Sequence, residues 1–378
     1  MKIGIMSMQR IENYGSFLQA YSLKDMLEEL GHDVVFVDYV IEPCIVKEKI
    51  VVNNIPKHSY VYRVARKVYY IVKDFLSTIS GKKRAREMYE ASRLRNRYSE
   101  YVKELGVTEQ RTENTPVDVL VIGSDEVFNC LQTNKAVGYS KQLFGENVNA
   151  KKVITYAACA GYTTEDGLIE YGIKEEVARM LKNNIKHFSV RDSNTFELVL
   201  HLTGITAELH LDPVLVSDFD KHIIDKNDIS NYVVVYSYEE RMSNNLDEIY
   251  AIQSFVHQKG LKTVSIGNYQ EWTDLHIEAS PFELLGYIKN ADYVITDTFH
   301  GTVFSIIMEK QFATIVRESN KQKLSSLLEQ FGLKNREVKD MKDLENIVTS
   351  LIDFSVARKV RQQERMRSLK YLKTSIED

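Results

Sequence analysis

The chain has 378 residues, 44% hydrophobic and 27% charged, more than one ordinary domain holds and a comfortable length for two. A formal net charge of −4 names no partner, and only five prolines and seventeen glycines leave little room for disorder. Three scattered cysteines, Cys44, Cys130 and Cys159, exclude a disulfide framework and any Cys-based metal site, and suit a reducing compartment.

The apolar start Met1–Met6 stops at Ser7, too short for a signal peptide, and no run of about 18 apolar residues follows. The expectation is a cytoplasmic protein. Ile3–Met8 reads as a strand and Phe17–Leu30 as a helix, with Leu18, Tyr21, Leu27 and Leu30 near helical spacing and Gly31 as its stop. Strands follow at Val34–Tyr39, Val117–Ile122, Lys152–Ala157, Lys186–Val190 and Glu208–Leu211. A second series holds strands at Tyr232–Tyr236, Lys262–Ile266, Tyr293–Thr296 and Gln311–Val316. Its helices are Leu246–Gln258, Pro281–Lys289 and Thr302–Glu309. This alternation predicts an α/β protein with two doubly wound, Rossmann-like parallel sheets.

The expected domains are 1–215 and 216–352. Two segments fit neither sheet. Residues 57–104 hold 13 Lys/Arg against 5 Asp/Glu, with apolar residues at helical spacing, and read as a basic helical insertion. The helix 353–378 is expected to pack back on the first domain. The insertion is either a packed helix with a solvated basic face or a peripheral contact with anionic headgroups at the inner membrane face. No recognition motif for nucleic acid accompanies the charge.

In open α/β sheets ligands bind beyond the carboxyl ends of the strands, so the residues after each strand are the candidates. After the first come Asn13, Tyr14, Gly15 and Ser16, a tight turn into a helix start that suits an anion or a sugar hydroxyl, or an ordinary loop. After Val117–Ile122 come Gly123, Ser124 and Asp125; Asp125 is a carboxylate able to deprotonate a hydroxyl, or a helix cap. Cys159 reads as an inert buried thiol. Arg191 ends another strand, suited to a carboxylate or phosphate, or to a salt bridge with Asp192 or Asp212. His300 stands before Gly301 and Thr302, where a predicted helix start offers amides to phosphate and the imidazole is a proton donor or phosphate ligand. Arg317, Asn320, Lys321 and Lys323 either reach the same cleft or form a solvated charge run. A P-loop, GxGxxG, HExxH, CxxC and GxSxG are all absent, no DxD-like aspartate pair suggests a metal-dependent sugar-nucleotide site, and no metal site is expected.

Taken in order, Asn13-Tyr14-Gly15, Leu18-Gln19-Ala20-Tyr21, Gly123-Ser124-Asp125-Glu126-Val127-Phe128-Asn129, Tyr156-Ala157-Ala158, Ser189-Val190-Arg191, Leu211-Asp212-Pro213 and Thr296-Asp297-Thr298-Phe299-His300-Gly301-Thr302 resemble the polysaccharide pyruvyl transferase family. The resemblance spans residues 3 to 333. It implies a bacterial transferase of glycosyltransferase-B-like fold. Phosphoenolpyruvate would be its donor, without a further cofactor. The acceptor would be a sugar of a surface or capsular polysaccharide precursor, such as a lipid-linked one. The resemblance places Arg191 and His300 at positions tied to donor binding or catalysis and Asp125 at a recurrent motif aspartate. Together with the residues after the strands, it makes His300 and Asp125 the expected catalytic residues, Arg191, Gly301, Thr302, Arg317 and Lys323 the expected donor-binding residues, and Asn13, Tyr14, Gly15 and Ser124 the expected acceptor-binding residues. The chain departs from the pattern at Thr298, where better-studied members carry arginine, at Phe128, where tryptophan is common, and at Cys159, where serine is common. Arg317 or Lys323 would compensate for Thr298. The competing readings are a nucleotide-sugar-dependent glycosyltransferase on the same fold and a non-catalytic family member.

Overall fold

The computed structural model describes residues 1–46, 101–108, 110–225, 228–242, 245–318 and 320–378. The basic insertion expected at 57–104 lies outside these residues except for its end, where 101–104 are helical.

The first sheet is parallel and runs β2 (Asp33–Phe36), β1 (Lys2–Met6), β3 (Val117–Ile122), β4 (Ala150–Thr155). Single parallel bridges, Ile154 to His187 and Ala158 to Val190, extend it to β5 (Ser189–Val190), which pairs with β6 (Glu208–Leu209). The second sheet is also parallel throughout. Its order is β12 (Glu337–Val338), β11 (Phe312–Ile315), β10 (Tyr293–Thr296), β7 (Tyr232–Tyr236), β8 (Lys262–Ile266), β9 (Leu275–Ile277). Tyr232–Tyr236 is buried at every position, as a central strand covered on both faces requires. Edge strands β9 and β12 are too short to show periodicity, and the sequence reading passes over them.

Local signals explain the helix ends. Asn13 accepts the Ser16 amide at 2.8 Å and so starts the helix Tyr14–Glu29, three residues before the expected Phe17. Ser280 and Glu283 form a capping box around Pro281, which opens Pro281–Asn290.

The sheets share an apolar core. One continuous buried cluster joins Ile3, Phe17 and Leu23 to Val234, Leu285, Phe304 and Phe331, while separate clusters fill the outer faces of the two sheets. Phe17 and Tyr21 meet Phe282 edge-on, at centroid distances of 6.0 and 5.0 Å. The Tyr14 hydroxyl donates to the Ala279 carbonyl at 2.7 Å. The long final helix, Ser355–Glu377, crosses between the sheets. Arg361 donates to the carbonyls of Leu215 and Ser217 at 2.8 and 3.0 Å, and Arg365 to that of Val216 at 2.8 Å. Tyr371 donates to Thr155 at 3.0 Å. Two Rossmann-like sheets with their carboxyl ends turned toward one cleft form the glycosyltransferase-B-like arrangement expected from the sequence. Among the described residues no helix is long and apolar enough to cross a membrane.

Candidate active site at the interdomain cleft

Three strand ends of the first sheet converge on one from the second. Arg191, just after β5, is almost wholly buried and donates from Nη1 to Asp212 Oδ2 at 2.8 Å. Its Nη2 lies 3.9 Å from Asp125 Oδ1, and its Cζ sits 5.2 Å from the centre of the Phe299 ring. Asp212 is fully buried and also accepts the Val214 amide at 3.1 Å. His300, from the second sheet, brings Nε2 to 3.8 Å from the same Oδ2. That is too long for a hydrogen bond and near enough for strong electrostatic coupling. No described group bonds to this buried Nε2. Burial pushes the Asp212 carboxyl up, but His300 and Arg191 outweigh it and hold it below the ordinary range. An anionic Asp212 therefore ties the arginine of one domain to the histidine of the other.

The His300 ring is fixed from below by Gly15. A Cβ built on Gly15 would lie 2.1 Å from His300 Nδ1, so only glycine lets the first helix approach this closely. Phe304 stacks on the imidazole at 5.9 Å and Phe299 meets it edge-on at 5.4 Å. Asp125 has φ +69, a left-handed conformation that aspartate tolerates better than most residues. It accepts the Ser16 hydroxyl on Oδ2 at 3.0 Å. Such backbone is commoner at functional sites.

The structure brings Asp125, Arg191, His300 and Gly15 together, and it sends other expected site residues elsewhere. Arg317 was assigned to the donor. Its guanidinium is instead committed to Asp297 through Nε at 2.7 Å and to Glu248 through Nη1 and Nη2 at 3.1 and 2.7 Å. Gly301 and Thr302 were expected to present amides at a helix mouth. The helix starts earlier, at Phe299, because Thr298 caps it; its hydroxyl accepts the Gly301 amide at 2.9 Å, and the Thr302 amide bonds to the Thr298 carbonyl. Both residues are buried, and a Cβ on Gly301 would meet Thr296 Oγ1 at 2.1 Å. Tyr14 and Ser124 were expected to touch the acceptor. Tyr14 is buried and pins the domains through Ala279, and Ser124 is buried and donates to the Ala157 carbonyl at 3.0 Å. Asn13 is occupied as a helix cap.

Lys323 does reach the cleft, crossing it to Glu126 Oε1 at 2.6 Å; Glu126 also accepts from Asn129 at 2.8 Å. Burial pushes the Glu126 carboxyl up, and Lys323 with Asn129 more than reverses it. Cys159 donates to Asp192 Oδ2 at 2.9 Å, and burial pushes its thiol up to about 11, an inert group. Asp212, Glu126 and Phe299 take part in the site although the sequence reading did not assign them. Asp212 had a usable signal, an Asp-Pro directly after a short strand, whereas Glu126 and Phe299 needed the second domain to be in place.

Fold and candidate site together describe a parallel α/β protein whose two Rossmann-like sheets face each other across the cleft that gathers these residues. The polysaccharide pyruvyl transferase family model matches residues 13–319, and the chain belongs to this family of transferases. No curated protein matches the chain in sequence. Among solved structures it is similar to a UDP-GlcNAc 2-epimerase from Methanocaldococcus jannaschii, at 10% identity and TM-score 0.48, over 99% of this chain and 100% of that one. A Polygonum tinctorium UDP-glucosyltransferase aligns at 9% identity and TM-score 0.45, over 100% and 98%. An O-GlcNAc transferase mutant from Thermobaculum terrenum aligns at 12% identity and TM-score 0.42, over 98% of this chain, which spans 64% of that protein's length.

Proposed function

We propose that the protein transfers the pyruvyl group of phosphoenolpyruvate to two hydroxyls of one sugar in a surface-polysaccharide precursor, forming a cyclic ketal. The observation that carries this reading is the convergence of Arg191 and His300, from opposite domains, on the buried Asp212 carboxylate beside Asp125.

Arg191 spends one nitrogen on Asp212 and keeps Nη2 for an anionic group of the donor. His300, coupled to anionic Asp212, protonates the methylene carbon of the enol phosphate, which becomes the methyl group. The central carbon gains cationic character, and a sugar hydroxyl adds to it while Asp125 takes its proton. A second hydroxyl of the same sugar then displaces phosphate and closes the ketal. Of the two hydroxyl protons released, one replaces the proton given to the methyl group and the other leaves with inorganic phosphate. No electron is gained or lost overall. Preplaced charge around the central carbon is the largest contribution expected of such a site.

The test is to incubate purified protein with phosphoenolpyruvate and a panel of nucleotide-activated and lipid-linked hexosides, following phosphate release and ketal formation by mass spectrometry. Both are expected together, and His300→Ala should lower their rate by about 10²–10⁴-fold. Release of a nucleoside diphosphate from a nucleotide sugar, with phosphoenolpyruvate untouched, would overturn the reading in favour of glycosyl transfer.

A further inference from the structure

Thr298 caps the helix that carries His300 and bears no charge, so the segment 297–299 before the histidine brings no cation of its own. An enol phosphate carries both a carboxylate and a phosphate, and Arg191 offers one free edge. The other cations after cleft-facing strands differ in what neutralises them. Arg317 is saturated by Asp297 and Glu248, and Lys323 is paired with Glu126.

Arg241 is different. It follows β7, the hydrogen-bonded neighbour of β10, with Tyr236 opposite Thr296 at their carboxyl ends. The segments leaving these two ends, 237–242 and 297–300, therefore emerge from adjacent strands. The Arg241 Cζ lies 4.7 Å from the centre of the Tyr238 ring, and Nη1 is 3.5 Å from the Asp297 carbonyl, at the outer limit of a hydrogen bond. Among the described residues no carboxylate lies within ion-pair distance of it. Tyr238 is 44% exposed; burial pushes its phenol up, Arg241 opposes this, and Asp125 and Glu126, which follow β3, add to it with Asp297. The Tyr238–Arg241 pair thus borders the cleft beside the His300 loop.

The geometry points to Arg241 as the ligand of the donor's phosphate group, supplying from the segment after β7 a cation that the segment leading to His300 lacks. This inference rests on the pyruvyl-donor reading above. Stacking on Tyr238 holds the guanidinium plane, so less side-chain freedom is lost when its fork meets phosphate oxygens. Arg191 then takes the carboxylate side, and the two arginines orient the enol between His300 and Asp125.

Calorimetric titration of the full chain with phosphoenolpyruvate and, separately, with inorganic phosphate tests this. For Arg241→Gln, Kd for both should rise by about tenfold or more, as expected for loss of a charge-assisted contact. Arg241→Lys should recover part of the loss, and KM for phosphoenolpyruvate should rise more than kcat falls. Unliganded melting temperatures of the two variants serve as the folding control. If Arg241→Gln melts early, Arg241→Lys alone carries the comparison, and affinity in it equal to wild type together with an unchanged KM would overturn the inference. Equal affinity of wild type and a well-folded Arg241→Gln for both anions would also overturn it. Absence of phosphoenolpyruvate binding by wild type would remove the donor reading itself, a distinct failure.

Discussion

Arg191 and Arg317 look alike in sequence: each follows a short parallel strand and each has carboxylates nearby. Their settings in the folded chain differ. Arg317 gives all three nitrogens to Glu248 and Asp297, within the second domain. Arg191 gives one nitrogen to Asp212 at 2.8 Å, holds Asp125 only at 3.9 Å, and lies against the ring of Phe299 from the opposite domain. A saturated guanidinium is a structural clamp; an unsaturated one at a cleft keeps donors for a ligand and is the better candidate for a binding site. Strand-end position does not separate the two cases, and counting the filled donors does.

The sharpest break of this comparison is a pair of substitutions. Arg191→Gln should cut phosphoenolpyruvate-dependent turnover by about 10²-fold or more, while costing about 1–3 kcal/mol of stability, since Asp212 keeps the Val214 amide. Arg317→Gln should do the reverse. It leaves two carboxylates, Asp297 buried and Glu248 nearly so, without their counter-ion. The loss expected is about 3–5 kcal/mol by denaturant unfolding, with kcat of the folded fraction within a few fold of wild type. Similar stability losses with equally crippled turnover would erase the distinction.

The same contrast holds between two histidines. His300 faces the cleft, while His210, two residues before Asp212, is buried between Tyr156 and Tyr371 and bonded through Nδ1 to the Ser189 hydroxyl at 2.9 Å. Burial, aided by Arg367, pushes His210 down to about 4. The unfolded chain therefore binds more protons than the folded one between about pH 4 and 6.5. Its contribution is fully present above about 6.5 and is lost as pH falls toward 4, up to about 3 kcal/mol. Unfolding free energy measured across this window should flatten in His210→Gln relative to wild type.

Smaller effects probe how the domains are held. Gly15→Ala drives a methyl group into the His300 ring and should cost about 1–3 kcal/mol, together with activity, because the imidazole must move. Tyr14→Phe loses the bond to Ala279 and should cost about 1 kcal/mol, with little change in kcat. A Tyr14→Phe protein with turnover as low as Gly15→Ala would show that domain docking, not His300 placement, governs the rate.

Much of the fold was readable from the chain because central parallel strands are continuous β-branched runs. Val117–Ile122, Tyr232–Tyr236 and Lys262–Ile266 fall where the pattern predicts. The gathering of Asp125, Arg191 and His300 at one cleft was foreseeable for the same reason, since each follows such a strand. Capping was harder. Thr298 fits a helix start, yet the apolar pattern suggested Thr302, and that shift turned Gly301 and Thr302 from a helix mouth into buried first-turn residues. Partners distant in sequence were not readable. Nothing in the local pattern pairs Arg317 with Glu248, 69 residues away, or Lys323 with Glu126, 197 away.

If Arg191 and His300 build one site for phosphoenolpyruvate between the domains, ligand-induced thermal stabilisation reveals it without an acceptor. A ligand that binds only the folded state raises stability by RT ln(1 + [L]/Kd), about 2.7 kcal/mol at a hundredfold excess over Kd. The melting temperature of wild type should rise with phosphoenolpyruvate, and this rise should vanish in Arg191→Gln and shrink in His300→Ala. A wild-type protein that is unmoved by phosphoenolpyruvate and stabilised by a nucleotide sugar would mean that this cleft holds no pyruvyl donor.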